Sequence, residues 1–253
     1  MRIIIITQDE PFYLKENLVY LLSLLPSECK IVGCVVSDVS PFGKKESFVK
    51  KAFKTYKIFG LKFFLFYSIK LIYIKIFKGS IRSLLKREKI TEIKLNGSIN
   101  NKTSLELIKS FNPDLLVSIL GNQIFKKDLI SLAPKGCINL HTALLPKYRG
   151  LMPTFWVLKN NEEYTGVSVF FVNEDIDSGP IIVQKKIRIN NKSQSELIRL
   201  TKHLGMELIA EAIRLIINDK VKLISNPDSE MTYYSFPNSN DVKEFLKSGK
   251  NFF

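Results

Sequence analysis

Along this chain, short unbroken apolar runs alternate with longer segments whose apolar residues recur every three or four positions. The first kind reads as buried strand and the second as amphipathic helix. Ile3 to Thr7 is thus a first strand, Leu14 to Leu25 a helix and Lys30 to Ser37 a second strand. Strand, helix, strand implies a right-handed crossover and a doubly wound, mostly parallel α/β sheet. The apolar start is too short for an export segment, because Gln8-Asp9-Glu10 ends it at once.

The pattern departs from this alternation between about residues 42 and 100. Ser47 to Tyr56 and Phe59 to Phe77 read as helices, the second dense in Phe, Ile, Leu and Tyr. Lys62, Lys70 and Lys75 keep its apolar runs too short to cross a membrane. They spread over an arc of about 220° rather than one polar face, so a helical insert packed on the sheet is expected. The alternative is an interfacial helix with snorkelling lysines, a peripheral membrane contact. Arg82, Lys86, Arg87 and Lys89 add a basic cluster that reads as a solvated face.

Alternation then resumes, with a helix at Ser104 to Phe111 and a buried strand at Asp114 to Leu120. Further strands are expected at Ile138 to His141, Gly166 to Val172 and Pro180 to Ile189. Ser193 to Ile217 reads as a long amphipathic helix with Ser195 as its cap. Short strands at Lys220 to Ser225 and Met231 to Phe236 and a helix at Asp241 to Leu246 complete the chain. The domain expectation is a main unit over 1–190 and a C-terminal α+β extension over 191–253 that serves dimerisation.

A chain of 253 residues with 45% hydrophobic and 25% charged residues has ordinary globular proportions. The formal net charge of +14 is not ordinary. It fits attraction to nucleic acid, anionic lipid or an anionic substrate, or equally a coding bias towards Lys. Cys29, Cys34 and Cys137 make no CxxC pair, and no Cys/His cluster has metal-ligand spacing. A reduced, cytoplasmic protein without a metal is the expectation.

Candidate chemistry concentrates between Cys137 and Gly179. Alternate side chains of a strand share a face, so Asn139 and His141 point the same way. Pro146-Lys147-Tyr148-Arg149-Gly150 is a turn, and Asn173-Glu174-Asp175-Ile176-Asp177-Ser178-Gly179 an acidic loop. Strand ends thus deliver a carboxamide, an imidazole and a carboxylate. That set suits acyl-type transfer, with an oxyanion donor, a proton shuttle and a group that orients the shuttle.

At these residues the chain resembles the folate-dependent formyltransferases. The likeness rests on Asn139-Leu140-His141, then Leu145-Pro146-Lys147-Tyr148-Arg149-Gly150, then Asp177-Ser178-Gly179, in that order and spacing. It reaches from about Pro113 to about Ile187. The resemblance implies that Asn139, His141 and Asp177 are catalytic, with N10-formyltetrahydrofolate as formyl donor and no metal. Gly121, Asn122 and Ile124, together with Asn173, Asp175 and Gly179, are implied as folate-binding.

For the acceptor, Asp9, Glu10, Tyr148 and Arg149 are candidate contacts. Asp9 and Glu10 are equally read as first-turn helix acids, and Tyr148 and Arg149 as shaping the turn, Arg149 alternatively as surface charge. The turn after the first strand has no GxGxxG fingerprint, and it lacks the Gly-Asn-Gly-Ser type of loop of the purine-pathway relatives. Two short late strands are too few for a five-stranded barrel of the tRNA-gripping kind. The ending Tyr233-Tyr234-Ser235-Phe236-Pro237 resembles small formyltransferases of surface-polysaccharide biosynthesis. The expected acceptor is therefore a nucleotide-linked amino sugar; the alternative is a methionyl-tRNA formyltransferase-like enzyme acting on an aminoacyl-tRNA or another small amine. A homodimer is the expected assembly, through the apolar surface of residues 59–77 and the late strands.

Overall fold

The structure, a computed structural model, describes residues 1–39, 46–121 and 123–253. At its centre is β1 (Arg2–Gln8), whose Ile3 to Ile6 are all buried. Because strand side chains alternate, Ile3 and Ile5 join one core cluster and Ile4 and Ile6 another on the opposite face. β2 (Lys30–Ser37) pairs parallel to β1 on one side, and β3 (Leu115–Ser118) does so on the other. β4 (Cys137–His141) is parallel to β3. β6 (Tyr164–Phe171) then runs antiparallel to β4, and β7 (Ile181–Arg188) antiparallel to β6. The six-stranded order is β2-β1-β3-β4-β6-β7. The mostly parallel α/β sheet expected from the sequence is present, with β6 as the reversed strand.

Helices cover both faces. α1 (Leu14–Leu24) and the long α7 (Gln194–Ile217) bury Leu14, Leu18, Leu208 and Ile213 against the first cluster. On the other face sit α4 (Lys102–Ser110) and α5 (Lys127–Ile130), through Ile108 and Leu129. α3 (Ile81–Arg87) packs its Leu84 and Leu85 into the α1 side. Residues after 190 thus contribute to the core of the main sheet. The cap of α7 is Ser193, not Ser195: Ser193 and Glu196 form a reciprocal capping box. Ser195 is the second residue of the helix, with its hydroxyl 3.1 Å from that of Tyr13.

The insert is one helical element, α2 (Phe48–Phe77), broken at Gly60 (φ 81°, ψ 173°). A straight helix would hold Phe48 and Lys75 about 40 Å apart. Instead the Lys75 ammonium lies 6.0 Å from the Phe48 ring, so the two halves fold back on each other. The expectation that this insert packs on the sheet is not met. It sits on a second, aromatic cluster, where Phe59 and Phe63 meet Phe252, and Phe155 stacks on Phe245. Those partners come from α6 (Pro153–Lys159), α8 (Ser239–Lys247) and the C-terminal residues.

Two expected late strands shrink. Lys220 to Ser225 makes a single bridge, Ile224 to Ile181. Leu223 and Ile224 stay exposed, so no buried face holds a longer register. Met231 to Phe236 contributes only β8 (Tyr233–Tyr234), parallel to the two-residue β5 (Arg149–Gly150).

Candidate active site

Asn139 and His141 are the third and last residues of β4, flanked by Ser118 of β3 and by Phe170 and Ser168 of β6. His141 is buried, with Nε2 2.7 Å from the Tyr148 carbonyl oxygen. A carbonyl only accepts, so Nε2 carries the hydrogen and Nδ1 is left to face Asp177 Oδ2 at 3.5 Å. Asn139 is half-buried, and its carboxamide has no hydrogen-bond partner among the described residues.

The turn after β4 is held from below. The Leu145–Pro146 peptide is cis. Ser168 Oγ donates to the Ala143 carbonyl at 2.7 Å and accepts from the Leu145 N–H at 3.2 Å. Gln184 Nε2 donates to the Leu145 carbonyl and to Ser168 Oγ. Tyr148 takes a left-handed conformation (φ 60°) that aims its carbonyl at His141.

Asp177 arrives from an unexpected direction. Because β6 is antiparallel, its end lies beside the start of β4, and Val172 N–H bonds to the Cys137 carbonyl. The loop must double back to bring Asp177 to the other end of β4. It does so with Asp177 itself left-handed (φ 50°) and Oδ2 accepting the Gly150 N–H at 2.9 Å. Gly150 (φ 96°) has no room for a side chain, since a Cβ would lie 2.3 Å from the Tyr234 carbonyl. At Gly179 a Cβ would lie 1.7 Å from the Phe171 carbonyl, so close packing dictates that glycine.

Four residues that hold the loops around this candidate site escaped the sequence reading. Asn226 Nδ2 donates to the Asp177 and Gly179 carbonyls at 2.9 and 2.8 Å, clamping the loop. Thr232 Oγ1 accepts the Tyr148 N–H. Ser168 and Gln184, described above, are the others. Asn226 precedes a proline in a polar stretch, which signals a turn but no partner 49 residues away.

The expected acceptor contacts are engaged internally. Arg149 is neither surface charge nor open to a ligand: it is buried, with Nη1 2.7 Å from Asp228 Oδ1 and Nη2 donating to the Asn226 carbonyl and Oδ1. Tyr148 is buried, donates its hydroxyl to Glu162 at 2.6 Å and stacks on Tyr234. Burial and the neighbouring Glu162 push its ionisation upward. Glu10 caps α1 by accepting from the N–H groups of Phe12, Tyr13 and Leu14, so the helix-acid reading holds for it. Asp9 pairs with Arg82. Each of the four side chains thus has a partner within the protein.

Of the folate-side residues, Ile124 is 54% exposed and its carbonyl accepts from Asn100 Nδ2. Gly121 is exposed beside Ser118. Asn122 lies outside the described residues. Asn173 and Asp175 are exposed on the acidic loop, where Asn173 Oδ1 accepts from Ser178 Oγ at 2.6 Å. Cys137 is fully buried, and burial pushes its thiol pKa up. Among the described residues no group of His, Cys, Asp and Glu has metal-binding geometry.

A cavity of about 820 Å³ lies apart from these groups, between the start of α1, the second half of α2 and the first turn of α7. Tyr13, Phe66 and Phe253 supply rings, and Lys70, Lys78 and Arg199 supply positive charge against Glu16 and Glu196. Phe12 and Tyr13 follow the end of β1. β1, β3 and β4 are neighbouring parallel strands about 4.8 Å apart, so this cavity and His141 share one edge of the sheet.

Fold and site together define a class: an open α/β sheet with a half-buried carboxamide at the end of an inner strand, beside a buried imidazole that faces a carboxylate. The chain belongs to the formyl transferase family, whose model matches residues 83–213, just over half of it. Methionyl-tRNA formyltransferase of Kosmotoga olearia is 34% identical over 137 residues, 54% of this chain and 44% of that protein. The chain thus spans less than half the length of that curated relative. Among solved structures, glycinamide ribonucleotide transformylase 1 of Symbiobacterium toebii superposes with a TM-score of 0.63 at 16% identity, covering 89% of this chain and 92% of that one. A sugar N-formyltransferase of Shewanella sp. gives 0.62 at 16% identity, over 98% and 87%. The N-formyltransferase of Helicobacter canadensis, in complex with folinic acid and dTDP-3-aminofucose, gives 0.55 at 20% identity, over 93% and 71%.

Proposed function

We propose that this protein transfers a formyl group from N10-formyltetrahydrofolate to the primary amine of a nucleotide-linked amino sugar. The observation that carries the reading is the convergence of Asn139, His141 and Asp177, with a free carboxamide beside an imidazole poised 3.5 Å from a carboxylate. The amine nitrogen bonds the formyl carbon, the bond from that carbon to N10 breaks, and one amine proton ends on N10. Asn139 Nδ2 donates to the formyl oxygen as it gains charge. One donor of this kind contributes about 3–4 kcal/mol in acyl transfer. The Tyr148 carbonyl holds the His141 tautomer, leaving Nδ1 and the Asp177 carboxylate to receive and return the proton. The exposed loop at Gly121 and Ile124 and the acidic loop at Asn173, Asp175 and Gly179 are the proposed folate contacts. Folate chemistry is supported by the folinic acid of the Helicobacter canadensis complex.

The sugar acceptor is supported by two features. The Shewanella sugar enzyme matches 98% of this chain. The ring-lined, cationic cavity on the same sheet edge suits an anion carrying an aromatic base. An aminoacyl-tRNA acceptor is the second reading, favoured by the identity to methionyl-tRNA formyltransferases and by the net charge of +14. The test is formyl transfer from N10-formyltetrahydrofolate to a panel of nucleotide-linked amino sugars and to initiator methionyl-tRNA. Turnover of a sugar that His141→Ala, Asn139→Ala and Asp177→Ala each reduce by about 100-fold or more upholds the proposal. Turnover on tRNA alone, with affinity falling steeply with salt, replaces the sugar by the second reading.

A further inference from the structure

The second half of α2 has two opposite faces. At about 100° per residue, Phe63, Tyr67 and Ile74 share one side. That side is seated: Phe63 packs on Phe59 and Phe252, Tyr67 on Phe12, and Ile74 is buried. On the same count Leu61, Leu65, Ile69, Ile72 and Ile76 fall within an arc of about 80° centred opposite it. All five are 51–68% exposed. The result is an aliphatic ridge about 22 Å long on the outside of the molecule. Single exposed apolar residues are ordinary, but a contiguous ridge of this length marks a contact surface.

Charge decides what covers it. Phe48 to Phe77 contains seven lysines and no acidic residue. Lys62 and Lys75 flank the ridge on its two sides, each within about 80° of its centre. A second copy laid on this ridge would bring these lysines against their own counterparts, with no carboxylate in the helix to relieve them. An anionic bilayer surface matches both parts. The Leu and Ile side chains enter the headgroup–acyl boundary while lysine ammonium groups reach phosphates on either side. No helix among the described residues is long and apolar enough to cross a membrane.

We propose that the outer face of α2 docks the protein on an anionic lipid surface, with Leu61, Leu65, Ile69, Ile72 and Ile76 as the inserted ridge. The residues concerned belong neither to the site at His141 nor to the cavity, so docking leaves chemistry on a soluble substrate unchanged.

The experiment is sedimentation of the full chain with vesicles of phosphatidylcholine alone and of equimolar phosphatidylcholine and phosphatidylglycerol. Light scattering of the free protein accompanies it. Binding is expected on the mixed vesicles only, weakened by raised salt. An Ile69→Gln/Ile72→Gln variant and a Lys62→Gln/Lys75→Gln variant should each lose about tenfold or more in partitioning. Their thermal midpoints should match the parent, because every substituted side chain is exposed. Equal binding to both vesicle types, no binding, or full binding by the Ile69→Gln/Ile72→Gln variant overturns the proposal. A dimer of the parent that this variant converts to monomer also overturns it, assigning the ridge to a second copy.

Discussion

The sharpest prediction concerns Asn226, a residue with no chemical step of its own in the proposed reaction. Its Nδ2 holds the Asp177 and Gly179 carbonyls, and its Oδ1 accepts from Arg149. Asp177 sits in the left-handed region, which costs a non-glycine residue about 1–2 kcal/mol. Something must offset that cost, and the clamp does. Asn226→Ala removes two hydrogen bonds to the loop, each contributing about 1 kcal/mol net. A loss of about 2 kcal/mol lowers the population of the closed loop by up to about thirtyfold, at 1.36 kcal/mol per decade. Turnover in the formyl-transfer assay should fall by about ten- to thirtyfold. Unfolding in urea should show a loss of about 2–4 kcal/mol, the excess coming from the Arg149 guanidinium left short of an acceptor. Asn238→Ala is the control: it removes the cap of α8, costs about 1 kcal/mol and should leave turnover unchanged. If Asn226→Ala is destabilised as expected while turnover stays at the parent value, Asp177 is not held by this clamp and the reasoning is refuted.

Gly179→Ala should abolish turnover, because its Cβ would meet the Phe171 carbonyl at 1.7 Å, whereas Gly249→Ala, with open space around it, should cost only the strain of its positive φ, about 1 kcal/mol. Turnover and thermal midpoints separate the two. Tyr148→Phe should lose about 1–2 kcal/mol through Glu162 and keep the acceptor affinity, as a buried strut would; a large rise in KM would return Tyr148 to the substrate side. Alkylation at pH 8 followed by mass spectrometry should modify Cys29 and spare the other two thiols, since burial raises Cys34 to about 12 and Cys137 further. Rapid labelling of Cys137 in the folded protein would contradict the packing of β4.

Much of this was legible because local chemistry and tertiary role coincide. Ile3 to Ile6 could be nothing but a central strand, and the period of two at Asn139 and His141 put both on one face. The turn Leu145 to Gly150 announces itself through Pro and Gly. What was not legible depends on partners distant in sequence. Glu10 and Arg149 look like ligand contacts until a helix start and Asn226 claim them. The seat of α2 on Phe252 cannot be read from the periodicity of either segment. Ser193 and Ser195 both precede an apolar period, and only the reciprocal bond from Glu196 selects the first. β6 reverses direction, which apolar content does not reveal, and so the acidic loop had to travel further than its spacing suggested.

The turn that supports His141 is tied to the far end of the chain. Tyr148 N–H reaches Thr232, Arg149 reaches Asp228, and β5 finds its only strand partner, among the described residues, in β8. A ribosome delivers the N-terminal side first, so the sheet from β1 to β7 can collapse while these partners are still unmade. Closing a loop of some eighty residues follows local structure in time. The setting of His141 is therefore completed late: a nascent chain stalled before Asn226 would present a sheet with the loop of Asp177 unfastened.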